Sequence, residues 1–248
     1  MRLVSLSPSV TEIIFALGAG NDIVANTAYC DFPETSNKIP KVGSWIYIND
    51  EAVKKFQPDL VITSTVVQQN AEKRYQDFNY LHLDPRSLAD IYESIILLGK
   101  TINKEAEAKE LVSQLKTEAD QIRKRATKTT PRVYIEEWFK PPMASGNWVP
   151  DIVELAGGKY FPGIKKEEIS RKVSDEEIIA FDPEVIFVSY CGYKDKSDPK
   201  MVLERKGWQN IAAIKAGRVH VLNDDLLNRP GPRILESAKA IGDYLKVS

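Results

Sequence analysis

The apolar positions of this chain change their spacing along its length, and the changes mark out its elements. Leu3, Val4 and Leu6 open a short strand, and Val10, Ile13, Ile14 and Leu17 then recur at helical spacing. A strand over 3–6 and a helix over 9–17 are predicted, with Ser9 and Glu12 as a capping box. β-Branched and aromatic runs read as strands at 23–26, 60–63 and 80–83, with helices near 50–56 and 68–78 between them. From 87 to 126 the pattern is helical. Its second part sets Ala108, Leu111, Val112, Leu115, Ala119 and Ile122 on one stripe, with Glu105/Lys109 and Asp120/Lys124 as i,i+4 pairs on the polar side. A helix of that length spans roughly 33 Å and suits a strut between two lobes. After the turn at Pro131, strands are predicted at 132–138, 185–190 and 218–222, and helices at 148–156, 174–181, 201–211 and 233–245. The residues from Glu136 to Trp148 read as a loop leaving a strand and entering a helix.

The chain repeats itself. Asn49-Asp50-Glu51-Ala52-Val53-Lys54-Lys55-Phe56-Gln57-Pro58-Asp59-Leu60-Val61-Ile62 is echoed by Ser174-Asp175-Glu176-Glu177-Ile178-Ile179-Ala180-Phe181-Asp182-Pro183-Glu184-Val185-Ile186-Phe187. Each copy is an acidic helix start, a short helix ending in Phe, a stopping Pro and a strand. A second echo sets Glu12 to Gly18 against Asp151 to Gly157. The repeat predicts an α/β protein of two similar lobes with mainly parallel sheets, bridged by one long α-helix: an N-terminal lobe 1–102, the bridging helix 103–127 and a C-terminal lobe 128–248. Between such lobes a ligand cleft is expected.

Charge narrows the partners. Thirty-four Lys and Arg against 35 Asp and Glu leave the chain near neutrality, which argues against nucleic acid or an anionic membrane as the main partner. The N-terminus enters a strand directly, without the apolar core of a secretory signal, so either the protein works in the cytoplasm or an export segment precedes these residues. Two cysteines, Cys30 and Cys191, fall in different halves and are expected as free thiols.

Enzyme signatures are lacking: there is no Walker loop, no Gly-x-Ser-x-Gly and no strand-to-helix Gly-x-Gly-x-x-Gly. Only two histidines exist, His82 and His220, each inside a β-type run, too few for a transition-metal receptor. What the chain does carry is aromatic residues at strand ends. Tyr29 and Trp45 lie in irregular segments of the first half, and Trp138, Phe139, Met143 and Trp148 crowd into the second. Large flat side chains past the carboxyl ends of parallel strands suit a large, flat, partly apolar ligand. Asp225 and Arg229, in the last loop, offer an acceptor and a fork of donors for ligand amides.

At these residues the chain resembles the class III periplasmic binding proteins, the substrate receptors of ABC importers, and among them the vitamin B12 (cobalamin)-binding branch. The motifs are Arg2-Leu3-Val4-Ser5-Leu6-Ser7-Pro8-Ser9-Val10-Thr11-Glu12, Gln57-Pro58-Asp59-Leu60-Val61-Ile62, the stretch from Gly207-Trp208 to Arg218-Val219, and Arg229-Pro230-Gly231-Pro232-Arg233. The resemblance implies a non-enzymatic, monomeric carrier, without a cofactor or structural metal, that takes a corrinoid as ligand. Tyr29, Trp45, Met143, Asp225 and Arg229 match ligand-contact positions of that branch. Ser170 stands where the branch has a further tryptophan, so Trp138 or Trp148 is expected to build that wall instead. Glu51 and Glu176, equivalent within the repeat, match the glutamates that dock onto arginines of an ABC permease dimer. Such a carrier is expected outside the cytoplasm. The alternatives are a ferric siderophore or haem receptor, with basic residues or an iron-ligating Tyr or His in the cleft, and a cytoplasmic corrinoid-binding protein.

Overall fold

The computed structural model describes residues 1–44, 47–64, 75, 77–164 and 168–246. The chain divides into two compact units, one of residues 1–85 and 89–115, the other of residues 86–88 and 116–248. Each is an α/β layer built on its own sheet.

In the first unit four parallel strands lie in the order β2-β1-β3-β4: β1 (Leu3–Ser5), β2 (Ile23–Asn26), β3 (Leu60–Ser64) and β4 (Tyr80–Leu83). Both β1 and β3 are buried along their whole length, as continuous apolar strands are when helices cover both faces of a sheet. Val4, Leu6, Ala25, Val42, Val53, Val61 and Tyr75 pack as one core. The N-cap of helix α1 (Pro8–Ala16) lies two residues before the predicted one. Ser7 is the N-cap and Pro8 takes the first turn, where its fixed φ and missing N–H cost nothing, so Ser9 and Glu12 are buried helix residues and no side chain caps the start. Most of the predicted helix at 68–78 lies outside the described residues.

Two long helices follow, α3 (Leu88–Thr101) and α4 (Glu105–Arg125), α2 being Asp50–Lys55. The predicted stripe is buried at Ala108, Val112, Leu115, Ala119 and Ile122, and the Glu105–Lys109 pair forms at 2.7 Å. Asp120 pairs instead with Arg123, one residue short of Lys124. The division between the units falls inside α4, after Leu115.

In the second unit β5 (Arg132–Phe139) is central, flanked by β9 (Val185–Val188) and then β10 (Val219–Val221), all parallel. The predicted loop after β5 is a hairpin. Strand β6 (Pro142–Ala144) folds back antiparallel on the end of β5, and β8 (Arg171–Lys172) pairs β6, while β7 (Lys159–Tyr160) pairs the start of β5. Helix α5 (Val149–Leu155) ends at Gly157, whose φ of 93° and close approach to Ala126, 2.9 Å from where a Cβ would sit, both require glycine. Helix α6 (Asp175–Phe181) precedes β9, three single-turn helices, α7 (Lys200–Leu203), α8 (Ala212–Lys215) and α9 (Asp224–Leu227), follow it, and α10 (Ile234–Lys246) closes the chain.

The sequence repeat is a structural one. Asn49 caps α2 by accepting from the Ala52 amide at 3.0 Å, and Ser174 caps α6 by accepting from Glu177 at 3.2 Å. Gln57 and Asp182, the residues before the stopping prolines, both take left-handed backbone, at φ 44° and 48°. An arginine clasps each copy. The Arg2 amide donates to Asp59, the Asp59 amide to the Arg2 carbonyl, and the Arg2 guanidinium to the Phe56 carbonyl. Arg132 does the same with Glu184 and with the Asp182 carbonyl.

Candidate functional site

The loops at the carboxyl ends of the parallel strands carry most of the side chains singled out above. In the first unit β2 runs into a turn whose backbone is fixed by buried bonds. Lys41 donates to Asn26 Oδ1 at 2.7 Å and to the carbonyls of Ser36 and Cys30, and Thr27 Oγ1 lies 3.2 Å from the buried Cys30 sulfur. Burial pushes the Lys41 pKa down and the Cys30 thiol up. Tyr29 stays 54% exposed on this anchored turn. The Ala28 amide donates to the Gly43 carbonyl at 2.8 Å, which brings the next loop alongside and with it Tyr47, 81% exposed. Trp45 lies outside the described residues.

In the second unit four rings form a closed circuit. Trp138 stacks on Phe139 with centroids 5.2 Å apart, Phe139 meets Tyr190 at 5.4 Å, Tyr190 meets Tyr193 edge-on at 6.0 Å, and Tyr193 returns to Trp138 edge-on at 6.3 Å. Met143 sits opposite Trp138 in the hairpin ladder. Phe139 was singled out with Trp138 in the sequence, whereas nothing there pointed to Tyr190 and Tyr193. Trp148 is elsewhere: it is 5% exposed, and its indole N–H donates to the Leu227 carbonyl at 2.7 Å. That donor is satisfied internally, and the ring packs in the interior of the unit rather than with the Trp138 circuit.

A bulge in β5 accompanies this circuit. The register slips between Glu136 and Trp138, leaving Glu137 as the extra residue. Its carboxylate accepts from the Ser170 hydroxyl and from Cys191 Sγ. Burial raises its pKa, with the Ser170 hydrogen bond pulling the other way. Ser170 also accepts from the Gly146 amide at 3.0 Å, so the residue standing in place of a tryptophan is spent on structure. Cys191 is exposed as a residue, but its sulfur turns onto Glu137 and Asn228. Desolvation and the neighbouring Glu137 and Asp224 charges push its pKa well up, which keeps the thiol protonated and unreactive.

The last two residues singled out as ligand contacts bond to each other. Arg229 and Asp225 meet at 2.5 Å, and Lys194 Nζ approaches Asp225 at 3.4 Å. Glu51 and Glu176 occupy equivalent first-turn positions of α2 and α6, both exposed, Glu51 bonded to Lys54 at 3.1 Å. Neither histidine sits in these loops. His82 Nδ1 lies 2.8 Å from Thr63 Oγ1, and His220 stacks on Tyr244 at 4.1 Å. Among the described residues no cluster of His, Cys, Asp and Glu could hold a metal ion, and no helix is long and apolar enough to cross a membrane.

A two-lobe sequence repeat, parallel sheets and strand-end loops rich in aromatic residues define a class of carrier, and the chain belongs to the periplasmic binding protein family, whose pattern matches residues 3–226. An uncharacterized ABC transporter substrate-binding lipoprotein of Bacillus subtilis is 30% identical over 98% of this chain and 79% of its own length. A vitamin B12-binding protein of Vibrio cholerae is 26% identical over the whole chain and 90% of its own. Among solved structures, S. aureus IsdE complexed with haem covers 99% of this chain and 98% of its own with a TM-score of 0.87, and at 22% identity it shows the shared fold alone. The chain is thus a substrate-binding protein of the ABC transporter type, with vitamin B12-binding proteins among its relatives.

Proposed function

We propose that this protein captures a corrinoid of the vitamin B12 type and delivers it to an ABC importer, without catalysing a reaction. The observation that carries the reading is the aromatic circuit at the carboxyl ends of β5 and β9, on the same unit as the Asp225–Arg229 pair. Partly exposed aromatic rings on the same unit as an acid–arginine pair suit a large macrocycle fringed with amides. Full-length similarity to a vitamin B12-binding protein supports the same ligand. Tyr29, Trp45 and Met143 complete the proposed contact set. Glu51 and Glu176 are the proposed contacts to a permease dimer, and the proposed place of work is the outer side of the cell membrane.

The test is a titration with cyanocobalamin, dicyanocobinamide, haem and a ferric siderophore, read by tryptophan quenching and thermal shift. One corrinoid per chain is expected, with a melting shift worth about 2.7 kcal/mol at a hundredfold excess over Kd. A shift with haem or siderophore and none with either corrinoid would sink the reading. An export signal or lipid-attachment cysteine encoded upstream of Met1 would dispose of a cytoplasmic carrier.

A further inference from the structure

We propose that Tyr193 forms, with Trp138, the aromatic wall that the second unit presents to its ligand, and that Asp224 is the positioning residue that presents it. The inference rests on the corrinoid reading above. Its starting point is that Ser170 and Trp148 are both otherwise engaged, the first with Glu137 and Gly146, the second with Leu227. Of the other rings in the circuit, Tyr193 is the exposed one, at 42%, while Phe139 is half-buried beneath its stack with Trp138 and Tyr190 is fully buried.

The backbone around Tyr193 is built to hold it there. Gly192 and Lys194, on either side, are both left-handed, at φ 84° and 55°. Alternating conformations of this kind aim successive N–H groups at one point, where an anion fits. That anion is the buried Asp224 carboxylate. It accepts from the Gly192 amide at 2.7 Å and from the Lys194 amide at 2.5 Å, one bond to each flank of Tyr193. The Tyr193 amide donates to the Tyr190 carbonyl at 3.0 Å, and its carbonyl accepts from Lys196 at 2.9 Å. These bonds serve none of the strand ladders. A non-glycine residue in left-handed backbone is strained, and here the strain presents one exposed ring edge-on to Trp138. Asp224 immediately precedes Asp225, so the turn that offers the Asp225–Arg229 pair also sets the ring.

Calorimetric titration of the full chain with cyanocobalamin and dicyanocobinamide tests both halves. Tyr193→Ala is expected to weaken binding roughly tenfold, and Tyr193→Phe to recover affinity to within about threefold of the parent. Asp224→Asn keeps one acceptor of two and is expected to weaken binding severalfold while speeding hydrogen exchange at the Gly192 and Lys194 amides. In the Tyr193→Ala background it is expected to cost less than about twofold more, since the two residues act through one another. Parental affinity in Tyr193→Ala overturns the wall, and a full additive loss in the double variant overturns the positioning role. If the parent protein takes neither corrinoid, the functional reading falls by itself, and haem replaces them as the probe. Tyr193→Ala with unchanged haem affinity, or a parent that binds no haem either, overturns this inference as well.

Discussion

Arg205 grips Glu136 with both terminal nitrogens, at 2.6 and 2.7 Å. The carboxylate is fully buried and also accepts from Tyr190 at 2.8 Å and Tyr134 at 3.2 Å, while the guanidinium lies 4.2 Å over the Trp208 ring. Trp208 in turn donates to Asp175 at the start of α6. Every group has a partner, and for that reason removing one is costly. Arg205→Met is expected to destabilise the unliganded protein by about 3 kcal/mol or more, because a buried charge is left alone. Adding Glu136→Gln should recover much of that loss. Urea denaturation of the two variants measures it, and equal losses in both would mean that packing, not charge, carries the contact.

Glu137 has the opposite balance. Burial raises its folded pKa above that of the unfolded chain, so the folded state holds the proton more tightly and this group's contribution to stability falls as pH rises through the interval between the two values. Glu137→Gln, which keeps an acceptor for Ser170 without the charge, is expected to melt higher than the parent at pH 7.5. The difference should shrink as pH falls through the interval between the folded and unfolded values, where the parent carboxyl takes up its proton. A difference independent of pH would show that the charge is not what burial penalises.

Trp148→Phe tests whether that tryptophan is interior rather than ligand wall. Loss of its bond to the Leu227 carbonyl leaves a buried acceptor unpaired, and a destabilisation of about 1–2 kcal/mol is expected. Affinity per folded molecule should stay within about twofold, well short of the tenfold that about 1.4 kcal/mol produces. Arg229→Ala should weaken corrinoid binding instead, and the melting temperature should also fall because its pair with Asp225 is mostly buried. Unchanged affinity in Arg229→Ala together with weakened affinity in Trp148→Phe would swap the roles of the two residues.

Glu51→Arg together with Glu176→Arg is expected to leave corrinoid affinity within about twofold, since rim charges govern association and register. Complex formation with the cognate importer should be lost, and the single variants should show partial, salt-sensitive defects. A double variant that assembles normally would reduce these acids to helix-start residues.

The parallel strands were legible because burial on both faces demands unbroken apolar runs, as in β3 and β9. The repeat was legible for a related reason: helix cap, Phe, Pro and strand are each written in residue type. The hairpin was not. Lys140, Pro141 and Pro142 read as loop, and strands of two residues such as β7 and β8 are too short to show a period. Nor does residue type distinguish Trp138, in the strand-end circuit, from Trp148, in the interior. The hold of Asp224 on the Tyr193 turn was invisible because its partners are backbone amides some 30 residues away, as the separation from Lys194 shows. Pro8 displaced the Ser9–Glu12 box because a proline at N1 sets the helix start more firmly than a side-chain bond.

The arginine clasps of Arg2 and Arg132 speak to descent. Each ties the residue at the start of a central strand to the end of a helix 50 or more positions later, with the same three kinds of bond. Nothing about a ligand asks for that likeness, since both clasps lie at the strand ends opposite the aromatic loops. Two copies of one joint are what duplication of a single half leaves behind: the aromatic loops differ between the halves, while the joint that sets strand against helix is the same in both.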